Sequence, residues 1–301
     1  MHKDLDVRRF LFAVSLILLG ISMLTHRLPA QTMPTRFTIV DEGTEGKPDV
    51  VLIPGLSSSR SVWDGEAKLL APNYRLHLVQ VNGFGGQSAG PNATGAMLPA
   101  ITEELHSYIA MKKLHPIVIG HSLGGLLAMM LADRHQADVA KLVIVDSLPF
   151  YPLAMSLDAT LDNTRPQVEA IRERMSGLPD DQYAAMQPMM AAALVKDTAG
   201  QKSVAASSAT SDRAVVLNAM LEDMQTDLRP DLASIRTPTL MLYPFEAGTR
   251  QGNEPAKVDA LYASAFKIMS NVTLKRIDNS RHFIMYDQPA TFNAELQAFL
   301  R

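Results

Sequence analysis

The stretch Pro116–Gly125 (PIVIGHSLGG) decides the fold, because an apolar run leads directly into a serine flanked by glycines. The apolar run predicts a buried strand, and the Ala-, Leu- and Met-rich sequence after Ser122 predicts a helix. Gly120 and Gly124 lie two residues to either side of Ser122, where larger side chains would collide with the neighbouring strand and helix. The turn therefore holds Ser122 in a strained conformation and presents its hydroxyl at the positive end of the helix.

The segments around this turn alternate between apolar strands and amphipathic helices. Such strands, buried on both faces, are typical of a parallel sheet covered by helices on both sides. Predicted strands occupy Arg36–Val40, Asp49–Ile53, Tyr74–Val81, Pro116–Ile119, Leu142–Val145, Thr239–Tyr243 and Val272–Ile277. Predicted helices occupy about Ser61–Leu70, Thr94–Met111, Leu123–His135 and Ala290–Leu300. We expect an α/β fold with a mostly parallel, doubly wound sheet and its first strand at an edge.

A long insertion interrupts this alternation. About 90 residues separate Val145 from the next strand at Thr239, whereas a simple crossover needs one helix and short loops. We expect residues 149–227 to form a helical cap insert on a core made of residues 31–148 and 228–301. The methionines of the insert either pack its helices together or form a pliable apolar wall over a substrate pocket. They are Met155, Met175, Met186, Met189, Met190, Met220 and Met224.

Residues 1–30 have the composition of an export signal. Arg8 and Arg9 precede an apolar run of 15 residues, Phe10–Leu24, and Ala30 offers a cleavage position. A membrane-spanning helix needs about 20 apolar residues, so the run is short for a span. We expect a cleaved signal peptide and a periplasmic or secreted protein, or else an uncleaved anchor. Any membrane association would be through this N-terminal segment only.

The composition excludes several other kinds of protein. The 301 residues contain no cysteine, which excludes disulfides, thiolate chemistry and zinc–thiolate sites. The formal net charge is −3, so nothing indicates a nucleic-acid partner. Gly83 and Gly85 lack the third glycine and the following acidic residue of a dinucleotide-binding fingerprint. We therefore predict neither a cofactor nor a metal.

A serine hydroxyl becomes a good nucleophile only when a base takes its proton and a third group orients that base. His282 follows the last predicted strand, and acidic residues follow earlier ones. Because the carboxyl ends of parallel strands meet at one edge of a sheet, these side chains can converge on Ser122. We predict Ser122 as the nucleophile and His282 as the base.

From about Arg36 to Arg301, the chain resembles the α/β-hydrolase superfamily. The resemblance rests on Gly120–Gly125, Pro54–Leu56, Asn82–Ser88, and His282-Phe283 ahead of Asp287–Pro289. It implies a Ser–His–acid triad, a cofactor-free mechanism and a helical cap. Two positions depart from the family: Pro54-Gly55 replaces a frequent His-Gly, and Asn82 replaces a frequent Asp. Neither is expected to do covalent chemistry.

The acid of the triad stays open at this point. Glu246 follows the strand Thr239–Tyr243 where the family usually places an Asp, and it is the first choice. Asp146, at the end of the preceding strand, is the alternative acid. Glu254 and Asp259 are more distant candidates.

The resemblance also implies an oxyanion hole formed by two backbone N–H groups. We assign them to Leu56, in the loop after the second strand, and to Leu123, directly after the nucleophile. Ser57-Ser58-Ser59 either adds a hydroxyl donor to this hole or caps the following helix.

Together these residues predict a serine hydrolase that cleaves small-molecule carboxylic esters with small to medium apolar acyl groups, through an acyl-enzyme. A lactonase or an acyltransferase would use the same triad. An epoxide hydrolase or a dehalogenase would need an Asp at position 122 and is disfavoured. The alternative from a different class is a non-catalytic binding protein on the same fold.

Overall fold

The computed structural model describes residues 33–248 and 254–301, which contain a seven-stranded sheet. The strands are β1 (Phe37–Gly43), β2 (Asp49–Ile53), β3 (Arg75–Val81), β4 (Ile117–His121), β5 (Lys141–Val145), β6 (Thr239–Phe245) and β7 (Val272–Asp278). They are ordered β1-β3-β2-β4-β5-β6-β7 across the sheet. The edge strand β1 is antiparallel to β3, and all other neighbours are parallel. The predicted fold class is confirmed.

The helices of the described residues lie on the two faces of the sheet and in one long insertion. They are α1 (Asp64–Leu70), α2 (Leu98–Lys112), α3 (Leu123–Arg134), α4 (Leu161–Ser176), α5 (Asp180–Leu194), α6 (Thr198–Thr210), α7 (Arg213–Gln225), α8 (Pro255–Ala265), α9 (Ile284–Asp287) and α10 (Pro289–Leu300). Short 3-10 turns occur at Arg60–Trp63, Gly90–Ala93, Gln136–Asp138 and Tyr151–Ala154.

Two apolar cores sandwich the sheet, as the alternation along β2 illustrates. Val51 and Ile53 face the core that contains α2, α3 and α8. Val50 and Leu52 face the core that contains α1 and α10. All four side chains are fully buried, and burial of each stabilises the fold by roughly 1.5–3 kcal/mol. Because apolar cores cover both faces of the sheet, polar functional side chains are expected at the ends of the strands.

At the carboxyl edge of the sheet, the hydrogen-bond ladder continues one residue past β4 and β5. The Ser122 N–H donates to the Val145 carbonyl at 2.9 Å, and the Asp146 N–H donates to the Leu242 carbonyl at 2.8 Å. Ser122 and Asp146 therefore lie side by side at neighbouring strand ends. Both then leave the sheet at positive φ, 53° and 44°.

The region in which the sequence predicts a helical insert contains α4 to α7, between β5 and β6. Its last helix is attached to the core by polar contacts. The Glu222 carboxylate accepts hydrogen bonds from the backbone N–H groups of Met97 and Leu98, at 2.7 and 2.8 Å. The Asp212 N–H donates to the Gly83 carbonyl at 2.7 Å. We call residues 149–227 the cap from here on.

Several element boundaries differ from those predicted. The helix expected from Thr94 begins at Leu98, because Gly95 adopts a φ of 75° and Glu222 holds the first N–H groups. The strand β6 continues two residues beyond the predicted end at Tyr243. The helix α8 was not predicted.

The predicted export signal, residues 1–30, lies outside the described residues. Within the part of the chain that the structure describes, no helix is both long enough and apolar enough to cross a membrane.

Candidate active site

Ser122 occupies a turn that only small neighbours permit. Its backbone angles are φ 53° and ψ −123°, outside the regions that a serine ordinarily adopts. A Cβ atom on Gly120 would lie 2.1 Å from the Gly124 carbonyl oxygen. One on Gly124 would lie 2.3 Å from the Ile53 carbonyl oxygen. Ser122 itself is the residue that precedes α3, so its side chain lies at the positive end of that helix.

Asp146 pairs with His282. The distance from His282 Nδ1 to Asp146 Oδ2 is 2.6 Å, and the Asp146 side chain is 7% exposed. The hydroxyl of Tyr262 donates to the other carboxylate oxygen, Oδ1. Burial and the neighbouring Asp146 raise the pKa of Tyr262 well above its usual value, so this hydroxyl remains a donor. With Nδ1–H donating to Asp146, the other ring nitrogen of His282, Nε2, is an available base.

His121 supports the backbone of His282 from the buried side. Its Nε2 lies 3.0 Å from the His282 carbonyl oxygen, so Nε2 carries the proton and donates. Burial, and secondarily the charge of His282, lowers the pKa of His121 well below its usual value. His121 therefore stays neutral and adds no positive charge beside His282.

Glu246, the first choice for the acid, does not pair with His282. Its carboxylate accepts a hydrogen bond from Arg281 and lies 2.9 Å from Lys196 Nζ. The register of β5 and β6 aligns Val145 with Leu242, so Asp146 is level with Tyr243. Glu246 lies three residues further along, about 10 Å at roughly 3.3 Å per strand residue. The first choice is therefore corrected: Asp146, the alternative, is the carboxylate beside His282.

The two more distant acid candidates also have other partners. Glu254 lies 3.2 Å from Lys257 at the start of α8. Asp259 accepts a hydrogen bond of 2.9 Å from the Tyr243 hydroxyl and forms an ion pair with Arg276. Both carboxylates are thus engaged along α8 and its neighbouring strands.

The loop that contains Leu56 packs directly against the nucleophile position. A Cβ atom on Gly55 would lie 3.0 Å from Ser122 Cβ. The loop is a tight turn in which the Ser58 N–H donates to the Gly55 carbonyl at 3.2 Å, and Ser57 has a φ of 54°. Leu123 is the first residue of α3, so its N–H has no acceptor within the helix. The loop of Gly55 and Leu56 and the first turn of α3 thus both adjoin Ser122.

The cap holds this loop through three serines at the end of α6. Ser207 Oγ donates to the Ser57 carbonyl at 2.8 Å and accepts from the Ser59 N–H at 2.7 Å. Ser208 Oγ lies 2.9 Å from Ser57 Oγ, and Ser211 Oγ donates to the Ser57 carbonyl at 3.2 Å. We call these contacts the serine latch. Ser57 is therefore used to attach the cap, while the Ser59 hydroxyl caps the following 3-10 turn.

One cavity of about 450 Å³ joins all these elements. Ser122, Asp146 and His282 line its floor, and the cap forms much of its wall. The apolar side chains of the lining are Leu56, Ala154, Met175, Met190, Ala191, Ala193, Leu194, Val204, Val216, Leu217, Met220, Pro244, Phe245, Val258 and Phe283. Three of the methionines of the insert thus contribute to the wall, whereas Met189 is 74% exposed and Met224 is buried.

Two residues of this site were not predicted from the sequence. Tyr262 lies on the unpredicted helix α8 and orients Asp146. Asp223, on α7, lines the cavity. No local motif marks either residue, because each reaches the site only through the packing of its helix.

A second cluster of titratable groups lies away from the cavity lining. His106, His135 and Asp138 place potential metal-ligating atoms within 4.8 Å of one another. The two imidazole rings stack with centroids 3.8 Å apart and planes 6° apart. Since an imidazole lone pair lies in the plane of its ring, parallel stacked rings do not direct their lone pairs at one ion. His106 Nδ1 instead pairs with Asp138 at 2.6 Å.

Comparisons with known proteins identify the family to which the chain belongs. A family model described as "Alpha/beta hydrolase family" matches residues 50–295. A pimeloyl-(acyl-carrier protein) methyl ester esterase from Edwardsiella ictaluri is 31% identical over 223 residues, which cover 72% of this chain and 80% of the relative. The enzyme of the same name from Vibrio vulnificus is 29% identical over 261 residues, which cover 85% and 96% of the two chains.

Solved structures show the same architecture at lower identity. The esterase EaEST from Exiguobacterium antarcticum superposes with a TM-score of 0.71 and 18% identity, covering 88% of this chain and 95% of that one. At this identity the likeness concerns the fold alone. The curated relatives, in contrast, bear on activity, and they confirm the prediction of a carboxylic ester hydrolase.

Proposed function

The chain belongs to the α/β-hydrolase family, and on that premise we propose that it cleaves carboxylic esters through an acyl-enzyme on Ser122. The observation that carries the proposal is the 2.6 Å pair of His282 Nδ1 and Asp146, in the same cavity as the strained Ser122. That pair supports the tautomer of His282 in which Nε2 can accept a proton.

In the proposed mechanism, Ser122 Oγ attacks the ester carbonyl carbon while His282 Nε2 takes the hydroxyl proton. The backbone N–H groups of Leu56 and Leu123 stabilise the oxyanion, each by on the order of 3 kcal/mol if it is aimed at the developing charge. His282 then protonates the leaving alkoxide, which breaks the ester bond and leaves Ser122 acylated. A water molecule, deprotonated by His282, attacks the acyl-enzyme and releases the acid.

For the substrate, we propose small-molecule esters with small to medium apolar acyl groups. The largely apolar lining and the volume of about 450 Å³ support this class. The curated relatives are named as methyl ester esterases, which supports a small alcohol group.

The test is a panel of p-nitrophenyl esters of increasing acyl length, together with labelling by a serine-reactive fluorophosphonate. Wild type should hydrolyse the shorter esters and be labelled, whereas Ser122→Ala should do neither. The exposed Ser156→Ala is the matched control and should behave as wild type. An unlabelled, inactive wild type would favour the non-catalytic binding protein, and hydrolysis retained by Ser122→Ala would refute the assignment of the nucleophile.

Export is a separate proposal, supported by the sequence of residues 1–30 alone. N-terminal sequencing of the protein recovered from cell fractions tests it. A mature N-terminus near Gln31 in the exported fraction would indicate a cleaved signal, and an intact N-terminus in the membrane fraction would indicate an anchor.

A further inference from the structure

The charged side chains that line the cavity are matched by partners, with one exception among the described residues. Asp146 pairs with His282, Glu246 pairs with Arg281, and Arg213 lies 2.9 Å from Asp180. The carboxylate of Asp223 makes no hydrogen bond or ion pair with any residue that the structure describes.

Asp223 lies on an apolar face of the cap. It follows Met220 by one turn of α7 and Val216 by two, and both of these side chains also line the cavity. Burial raises the pKa of the Asp223 carboxyl to about 7, against the opposing influence of the nearby His282. Asp223 also raises the pKa of Tyr151, second to the effect of burial. Asp223, Ser122 and His282 line the same cavity, so the carboxyl group borders the space in which a substrate would lie.

A structural role accounts poorly for a carboxyl group at this position. Asp223 is in the last turn of α7, where the helix dipole disfavours negative charge. The Asp223 side chain is half-buried and borders the cavity, so a ligand that fills the cavity would displace water from it, and a hydrogen-bond donor on that ligand would replace the lost hydrogen bonds. By contrast, Glu222, the residue before it, points to the core and caps α2.

We infer that Asp223 is a substrate-binding residue that selects esters carrying a hydrogen-bond donor, a hydroxyl or an ammonium group, beyond the scissile bond. The inference rests on the proposed ester hydrolysis and adds a polar anchor to a cavity whose other charged side chains already have partners. The donor binds Asp223 while the ester carbonyl lies at Ser122, because both residues line one cavity.

The experiment compares matched esters on both sides of the scissile bond. On the acyl side, p-nitrophenyl hexanoate is compared with the 6-hydroxyhexanoate and the 6-aminohexanoate. On the alcohol side, butyl butanoate is compared with the 4-hydroxybutyl and 4-aminobutyl esters. kcat/KM is measured for wild type, Asp223→Leu and Asp223→Asn. Glu66→Gln is the control, because Glu66 is a buried carboxyl outside the cavity lining.

Wild type should prefer a donor-bearing ester to its alkyl counterpart in at least one series. Asp223→Leu should lower kcat/KM for that ester by about 10- to 100-fold, the range for a hydrogen bond to a charged group, and spare the alkyl ester. Asp223→Asn should retain a hydroxyl preference, since its amide oxygen still accepts, but lose an ammonium preference. Glu66→Gln should leave every ratio unchanged.

Equal donor-to-alkyl ratios in wild type and both Asp223 variants would overturn the inference. If the ratios are equal but the alkyl esters are hydrolysed, the proposed function is unaffected. Failure of wild type to hydrolyse any ester would overturn the proposed function and the inference with it. If Asp223→Leu does not fold, the nearly isosteric Asp223→Asn still tests whether the preference for ammonium esters depends on the carboxylate. Its preference for hydroxyl esters is compared with that of wild type.

Discussion

The floor and the wall of the cavity are built on different principles. On the floor, Ser122 and Asp146 are held by the sheet ladder itself, each one residue beyond its strand and each at positive φ. On the wall, the side chains come from helices of the cap. Examples are Asp223 and the serines that form the serine latch. Ser122 and Asp146 are each located by a backbone hydrogen bond that does not depend on the residue's own side chain. A wall residue is located by packing, so we expect its effects to be graded and to fall on specificity and alignment.

The largest expected difference separates the two candidate acids. Asp146→Asn should lower kcat by about 10³- to 10⁴-fold, because an amide favours the wrong tautomer of His282. Glu246→Gln, the matched control, should change kcat by less than about 10-fold, because it disturbs an ion pair near the site without touching the base. Steady-state kinetics on a p-nitrophenyl ester measure both. A greater loss in Glu246→Gln would restore Glu246 as the acid.

Glycine-to-alanine substitutions show how well the floor and the cap each tolerate an added Cβ atom, through the change in the free energy of unfolding. Gly124→Ala places a Cβ atom 2.3 Å from the Ile53 carbonyl oxygen, and we expect it to lower the free energy of unfolding by more than about 3 kcal/mol. Gly177, at the end of α4 in the cap, has a φ of −83° that alanine also adopts, and a Cβ atom there would lie 3.3 Å from the Glu173 carbonyl oxygen, a much milder contact than at Gly124. Gly177→Ala should change stability by no more than about 0.5 kcal/mol. Urea denaturation measures both free energies, and equal losses in the two variants would contradict the expected difference between floor and cap.

The serine latch connects floor and wall, and its expected effect is intermediate. Ser207→Ala removes a donor to the Ser57 carbonyl and an acceptor of the Ser59 N–H, so the Leu56 loop should lose alignment. We expect kcat to fall about 10-fold with KM nearly unchanged, since the oxyanion forms only during reaction.

The control for the latch is Ser203→Ala on the same helix, whose hydroxyl contacts Tyr286 instead. Ser207→Thr, which keeps a hydroxyl, should recover part of the rate. A rise in KM with an unchanged kcat would show that the latch shapes the substrate pocket and not the oxyanion hole.

The last comparison concerns the buried carboxyl of Glu66 and its dependence on pH. Burial raises the pKa of Glu66 from 4.5 to about 7, so the folded state holds this proton more tightly than the unfolded state. Stability from Glu66 is therefore full below pH 4.5 and is lost as the pH rises to about 7. Glu66→Gln should raise Tm by roughly 3–6 °C at pH 8 and by less at pH 5. Equal changes in Tm at both pH values, by differential scanning fluorimetry, would contradict this origin.

The structural features of the site that appear as expected are those for which a local pattern is sufficient. The strand–turn–helix around Ser122 is specified by residues within a few positions, and the structure shows the expected turn. The place of His282 after the last strand follows from the order of strands along the chain. Their catalytic roles remain proposals that the variants above test.

The choice of acid could not be predicted in the same way. Both candidates follow strands, and the register of β5 on β6 decides which of them is level with His282. Pro244 and Phe245 extend β6 beyond the predicted end, which carries Glu246 past His282 and toward Arg281 and Lys196. Strand length and register depend on pairing between distant segments, and a pattern within one strand does not contain them.

By itself, the sequence determined the alternation of strands and helices, the tight turn at Ser122 and the presence of an insertion after Val145. These features follow from periodicity, glycine sterics and segment length, all of which act over short stretches of chain. Only the tertiary structure decided that Asp146 meets His282, that Tyr262 holds Asp146, and that Asp223 faces the cavity. The two hydrogen-bonded pairs join residues 136 and 116 positions apart, and Asp223 reaches the cavity from the cap, so all three features arise only when helices and strands pack into one fold.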